Sequence, residues 1–213
     1  METGAEARVA AEVVEITPGK REQTKLANRV AILDAAREVF ADMGFEAATV
    51  RDIIRRTGLS VGAFYNYYRS KEEVFDALSD DGARRFRPIL QAQSAQATDL
   101  ESYVRAAVTA YFQFVASEQQ DWGWSGDHPE PSARSRNTPE MLAVFEEVRR
   151  AFAQTMDSDL AGRVDLDYLA TSAIAVAREV GERMLARRPV DVPGAADFVV
   201  RLIMGGVVAL PRL

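Results

Sequence analysis

From residue 26 onward apolar positions recur at intervals of three and four, and no stretch alternates with a strand's period of two, so the pattern predicts an all-α fold. Leu26, Val30, Leu33, Ala36, Phe40 and Met43 form one stripe of about five turns. Gly44 then offers a left-handed cap, with Phe45 as the apolar contact that follows such a cap. Thr49 can cap a short helix over Val50–Thr57, with Ile53 and Ile54 inward and Arg51, Arg55 and Arg56 outward. Gly58 ends it. Ser60 opens a third, short helix whose apolar face is Phe64 and Tyr68, and Ser70 a fourth that carries Val74, Phe75, Leu78 and Phe86. Pro88 lies at the far end of this helix, where the missing N–H and the ring clash predict a kink.

Beyond Thr98 the stripe widens. Leu100, Tyr103, Val104, Ala107, Val108, Tyr111, Phe112 and Val115 predict a helix surrounded on most sides. Asp121–Asn137 has no helical period and reads as a long loop or broken helix, after which Thr138 and Pro139 start a helix with Met141, Phe145, Val148 and Phe152 on one face. Two more helices are expected. The first spans about Leu166–Arg187, capped by Asp165 and facing inward with Leu169, Ala173, Val176, Val180 and Met184. The second spans about Gly194–Leu210 and is apolar nearly all round, which demands cover on both sides.

Composition narrows the chemistry. The 213 residues include no cysteine and one histidine, His128, which excludes disulfides, thiolate metal sites, a cysteine nucleophile and a multi-histidine site. Asp127-His128-Pro129-Glu130, beside Trp122 and Trp124, is the one place where acid, base and aromatics meet, but a single histidine in a proline-rich loop has no convergent partners. No enzyme, cofactor or metal is therefore expected. No apolar run approaches the roughly 20 residues of a membrane helix, and Met1–Gly19, with four Glu and one Arg, reads as a disordered acidic tail and not a signal peptide. The expected setting is the cytoplasm, without a membrane partner.

The net charge of −6 argues at first against nucleic acid. Divided along the chain it is −3 before residue 20, +2 over residues 20–75 and −5 after them. The positive segment holds two short helices joined at a glycine behind a longer one, a helix-turn-helix of three-helix type. Its second short helix fits a major groove about 12 Å wide. The segment reads Gly44-Phe45, Thr49-Val50-Arg51, Thr57-Gly58-Leu59-Ser60-Val61-Gly62, Tyr65-Asn66-Tyr67-Tyr68 and Ser70-Lys71-Glu72. In these elements and spacings it resembles the DNA-binding domain of tetracycline-repressor-type (TetR/AcrR) regulators over roughly residues 25–78.

The resemblance implies a helix-turn-helix domain over 20–80, followed by a helical effector-binding and dimerisation domain over 81–213. It implies that Val61, Gly62, Ala63, Tyr65, Asn66 and Tyr67 face DNA, with Thr49, Arg51, Tyr67 and Lys71 clamping phosphate. Val61 and Ala63 offer only apolar contact and the recognition helix has no Arg or Gln for bidentate base reading, so specificity is expected to lean on Asn66, Tyr65, Arg51 and the basic run Lys20–Arg29. The implied partners are a palindromic double-stranded operator, a small apolar or amphipathic effector and a second copy of the chain, in a nucleoid-associated repressor. Arg105, Phe112, Trp122, Trp124 and Phe145 are the candidate pocket residues, and Val176, Val180, Phe198, Leu202, Gly205 and Gly206 the candidate dimer face. Gly205-Gly206 costs about 1 kcal/mol of helix propensity per glycine, which either a close helix approach or simple fraying accommodates. Two rival readings are a DNA-binding protein without an effector and an enzyme using the Trp122–Glu130 loop.

Overall fold

The computed structural model describes residues 19–122, 138–162 and 164–210. The expected tail over 1–18 and most of the expected loop, Trp124 and His128 included, lie outside the described residues. Those residues form nine helices and no strand: α1 (Lys20–Ala47), α2 (Val50–Thr57), α3 (Val61–Tyr65), α4 (Lys71–Gln96), α5 (Leu100–Trp122), α6 (Pro139–Thr155), α7 (Ser158–Ala161), α8 (Leu166–Leu185) and α9 (Val192–Ala209).

Local chemistry sets the starts. Thr49, Ser60, Ser70, Thr138, Asp157, Asp165 and Asp191 each accept a backbone N–H of the helix they precede. Thr49 and Asp52 close a full capping box, and these hydrogen bonds hold the Asp52 carboxyl below the usual carboxylate range. Gly58 ends α2 at φ 67°, ψ 6°, as a left-handed C-cap. Gly44 differs from the expected cap: at φ 76°, ψ 158° it sits in a region open essentially to glycine alone. The turn it makes folds Phe45 back onto Phe40 and Phe75, with ring centroids 5.3 and 5.2 Å away.

That aromatic trio sits in the smaller of two cores, with Ile32, Val39, Ile53, Phe64 and Val74. The expected α1 stripe is only half right. Leu33, Ala36 and Phe40 are buried, but Leu26 and Val30 face outward, because the first three turns of α1 have no core beneath them, and Met43 is exposed on the turn before Gly44. The larger core is built from α4, α5, α6, α8 and α9 around Tyr103, Phe112, Phe152, Val199 and Val200. α4 belongs to both: Val74, Phe75 and Ala77 enter the smaller core, and Ala83, Phe86 and Leu90 the larger. It runs through Pro88 as one helix.

Several expectations need adjusting. Asp121 and Trp122 belong to α5 and not to a loop, and α7 was not foreseen. α9 is long and apolar enough, by length and composition, to cross a bilayer, with a mean hydropathy of 1.6, contrary to the expectation of no such run. Here its Val199, Val200, Ile203 and Val207 are packed into the core. Nor is α9 covered on both sides: Phe198, Leu202 and Val208 are 58, 50 and 81% exposed.

Phe64 is fully buried and is the side chain that anchors the five-residue α3. Phe64→Ala is expected to cost about 3–5 kcal/mol of stability, measured by urea unfolding.

Candidate nucleic-acid interface and ligand cavity

α2 and α3 meet at the Gly58 turn, and their outer surface carries most of the residues expected to face DNA. Arg51, Val61, Gly62, Tyr65 and Asn66 are exposed, while Ala63 and Tyr67 are half-buried. A Cβ added at Gly62 would meet nothing within 4 Å. Tyr65 stands edge-on to Phe64 at 5.6 Å, so its ring is braced while its hydroxyl end remains outside. The Tyr67 hydroxyl accepts a hydrogen bond from Asn28 Nδ2 at 3.2 Å and lines a cleft of about 400 Å³ with Lys25, Arg29 and Asn66. The bare N-terminal turns of α1 thus bring the basic run Lys20–Arg29 beside α3. Thr49 is exposed, but its hydroxyl donates to Asp52 Oδ2 at 2.5 Å and accepts from Asp52 N.

The Lys71 ammonium departs from the phosphate clamp that the resemblance implied, which combined this charge with the Lys71 backbone N–H at the start of α4. It donates to the carbonyls of Phe45, Glu46 and Ala48 at 2.7, 3.1 and 3.0 Å and lies 4.5 Å from the Phe45 ring centroid. The physical reason is a helix end. α1 has no basic residue in its last turn, and its terminal carbonyls need donors and positive charge, which Lys71 delivers from the start of α4.

The second feature is a cavity of about 710 Å³, within the range of small-molecule sites. Its wall on α5 runs from Tyr103 to Gln119, about 24 Å at 1.5 Å per residue. Small side chains open it. Gly82 and Ala83 on α4, Ala107 on α5 and Ala173, Ala177 and Gly181 on α8 line positions where large residues would fill the space. The wall is mostly apolar, with Val148, Phe152, Ala173 and Ile203, and carries six charged residues, Arg37, Arg85, Arg178, Arg183, Glu118 and Glu182, of which Arg85 and Glu118 pair with each other. Burial raises the Glu182 carboxyl above its ordinary range, with Glu179 adding to the effect.

The expected pocket residues are largely elsewhere. Phe112 is fully buried behind the wall, where a Cβ on Gly181 would stand 3.3 Å from its ring. Phe145 is half-buried away from the cavity, and exposed Arg105 pairs with Glu101 and Asp197. Trp124 and the Trp122 side chain lie outside the described residues. Tyr103, Tyr111 and Phe152 do line the cavity. The charged residues of the wall were missed because Arg37, Arg85 and Arg178 sit at ordinary solvent-face positions of their helices, and only the convergence of α1, α4, α5 and α8 brings them onto one cavity. On α9, Phe198, Leu202, Gly205 and Gly206 are exposed, and a Cβ at either glycine meets nothing within 4 Å. Val176 and Val180 are half-buried, packed against the larger core.

A short exposed helix behind a capped one, joined to a helical body with an internal cavity, defines a helix-turn-helix DNA-binding regulator. The family model described as "Bacterial regulatory proteins, tetR family" matches residues 32–78. The chain is 28% identical over 189 residues to the transcriptional activator FasR of Mycolicibacterium smegmatis, covering 84% of this chain and 83% of that protein. It is 27% identical over 144 residues to the transcriptional repressor AcnR of Corynebacterium efficiens, covering 68% and 70%. Its fold matches that of the transcriptional regulator FadR of Bacillus subtilis, solved in complex with stearoyl-CoA, with a TM-score of 0.64 at 14% identity over 83% of this chain and 98% of that one. Residues 32–78 thus carry a TetR-family helix-turn-helix domain, in a chain similar over most of its length to transcriptional regulators.

Lys71→Met is expected to lower stability by about 1–3 kcal/mol in urea unfolding, since the half-buried carbonyls of Phe45 and Ala48 lose their donor. The slope of DNA affinity against salt is expected to stay at the wild-type value, because the ammonium is already engaged.

Proposed function

We propose that the protein represses transcription as a homodimer on a palindromic operator in the cytoplasm, and that a small apolar or amphipathic effector entering the α4–α5–α8 cavity releases it. The observation that carries this reading is the pairing of an exposed, braced α3 with a partly open, largely apolar cavity, both attached to α4. FasR is an activator and AcnR a repressor. Effector-released repression is favoured by α4, which runs directly from the cavity wall into the small core. FadR in its stearoyl-CoA complex supports an amphipathic ligand class.

The dimer face in this reading is the outer side of α9. Phe198, Leu202, Gly205 and Ala209 fall on one stripe at 100° per residue, opposite Val199, Val200, Ile203 and Val207. Two such faces about a two-fold axis bury each other's phenylalanine and leucine, and the glycines allow a close crossing. The two α3 helices then reach successive major grooves, about 34–36 Å apart. Arg51 and the Lys20–Arg29 run contact phosphate, and Asn66 and Tyr65 contact base edges.

Selection of genomic fragments by the purified protein should recover a short inverted repeat; recovery of DNA without sequence preference would favour the effector-free reading. On that repeat, Arg51→Ala is expected to lower the salt slope by about 1, and Asn66→Ala to relax base preference. Phe198→Glu combined with Leu202→Glu is expected to yield a folded monomer by light scattering, with operator affinity reduced at least about 100-fold through loss of the second half-site.

A further inference from the structure

The first turns of α1 present a mixed basic and apolar surface. Leu26 and Val30, one turn apart, are each 56% exposed. Leu26 also lines the cleft of about 400 Å³ that Lys25 and Arg29 share with Asn66 and Tyr67 at the end of α3. Elsewhere in the small domain arginines hold carboxylates: Arg37 pairs with Asp34, Arg55 with Asp52, and Arg56 with Glu38 and Asp42. Among the described residues Lys20, Arg21, Lys25 and Arg29 have no such carboxylate. The segment that precedes α1 has the complementary chemistry. Residues 1–18 carry Glu2, Glu6, Glu12 and Glu15 against Arg8, interleaved with Val9, Val13, Val14 and Ile16. From Gly19, α1 rises about 9–17 Å to Lys25–Val30, a distance that about three to five extended residues span. A chain turning back at Pro18 therefore reaches that level with Val14, Glu15 and Ile16.

Resting on the reading of the Lys20–Arg29 run as a phosphate contact, we propose that residues 1–18 dock on this face of α1 in the free protein and occupy the place that DNA phosphate takes in the complex. The glutamates of the segment answer Lys25 and Arg29, and its valines and isoleucine cover Leu26 and Val30. DNA phosphate supplies the first kind of contact and not the second, so the chain's own segment fits the whole face. Because Asn66 and Tyr67 line the same cleft, the docked segment and a DNA backbone exclude each other, and the segment is a built-in competitor. Tethering makes it effective: joined directly to α1, it competes at an effective concentration on the order of millimolar, so contacts too weak to hold a free peptide suffice. Two or three exposed ion pairs of ordinary strength correspond to about 3–10-fold in operator affinity. Salt screens these pairs and lifts the inhibition.

Binding of the full chain to the operator fragment from genomic selection and to a scrambled duplex is read by fluorescence anisotropy at about 50 and about 300 mM salt. Glu12→Gln combined with Glu15→Gln is expected to tighten binding to both duplexes about 3–10-fold at the lower salt and less than about 2-fold at the higher. Weaker long-range repulsion alone would have the same sign, so the deciding variant keeps the charge. Val14→Ser combined with Ile16→Ser should also tighten binding, by at least about 2-fold, through loss of the apolar contact. The chain has no cysteine, so a spin label on Ala11→Cys is unique. It should broaden the methyl resonances of Leu26 and Val30 in the free protein, and operator should restore them. Unchanged DNA affinity in the serine variant, or absence of that broadening, would overturn the proposal. Broadening seen only between a spin-labelled chain and a separate methyl-labelled one would also overturn it and assign the face to a second copy. Lys25→Gln in a chain lacking residues 2–18 should still weaken operator binding. If it does so while the serine variant behaves as wild type, the docking falls and the phosphate reading stands; if Lys25→Gln has no effect, the phosphate reading falls instead.

Discussion

α4 is the constraint on which the molecule depends. It is one 26-residue helix, about 39 Å long, whose first two turns complete the small core and whose later turns complete the large one. Neither core closes without it. Because a packed helix moves as a body, a displacement of its cavity-lining side reaches the aromatic trio of Phe40, Phe45 and Phe75 without an intervening hinge. The start of α4 is fixed further by Lys71, which joins it to the last carbonyls of α1. The small domain is therefore locked to α4 at both ends of the contact: by the lysine cap at the beginning and by the Asp81–Arg37 pair three turns later.

These two contacts differ in what can reach them. The Lys71 ammonium sits on carbonyls at the far side of the small core, away from the cavity wall, and serves folding. The Asp81 carboxylate shares its guanidiniums with a cavity open to small molecules. The small domain is thus held to α4 by one contact outside the cavity wall and by one beside it.

Most of the small domain was legible in the sequence because its determinants are local. The Thr49, Ser60 and Ser70 caps, the Gly58 break and the inward Ile53, Phe64 and Tyr68 follow from side chains within four residues of one another, and each appears where expected. The bounds of α2 coincide with the reading, as does Asp165 before α8. What failed was non-local. Nothing within α1 says that its first three turns lack a core, and nothing near Lys71 reveals carbonyls 23 to 26 residues earlier that need its charge. The cavity was the hardest case: its walls are defined by small residues, which leave no signature in a hydrophobic pattern, and by arginines that the pattern assigns to solvent. Aromatic content pointed to Phe112 and Phe145, yet packing turned the first into the core behind the wall and left the second outside.

The shortness of α3 has a consequence for how such a molecule switches. In the proposed reading its five residues offer Val61, Gly62, Ala63 and Tyr65 to a groove, and Asn66 follows at its cap. None of these is a charged, bidentate reader, so a single half-site has few strong base contacts to draw on. In that reading affinity comes from phosphate contacts on Arg51 and the α1 run, multiplied by presenting two copies at a fixed separation. Multiplication of this kind is sensitive to geometry. When each half contributes weakly, a shift that lets only one α3 engage at a time forfeits most of the binding, whereas a strong half-site would hold on. A recognition helix poor in direct readers is thus suited to control by a modest tilt of α4, and the net −5 carried beyond residue 75 works in the same direction by repelling the chain from DNA once the clamps are out of register.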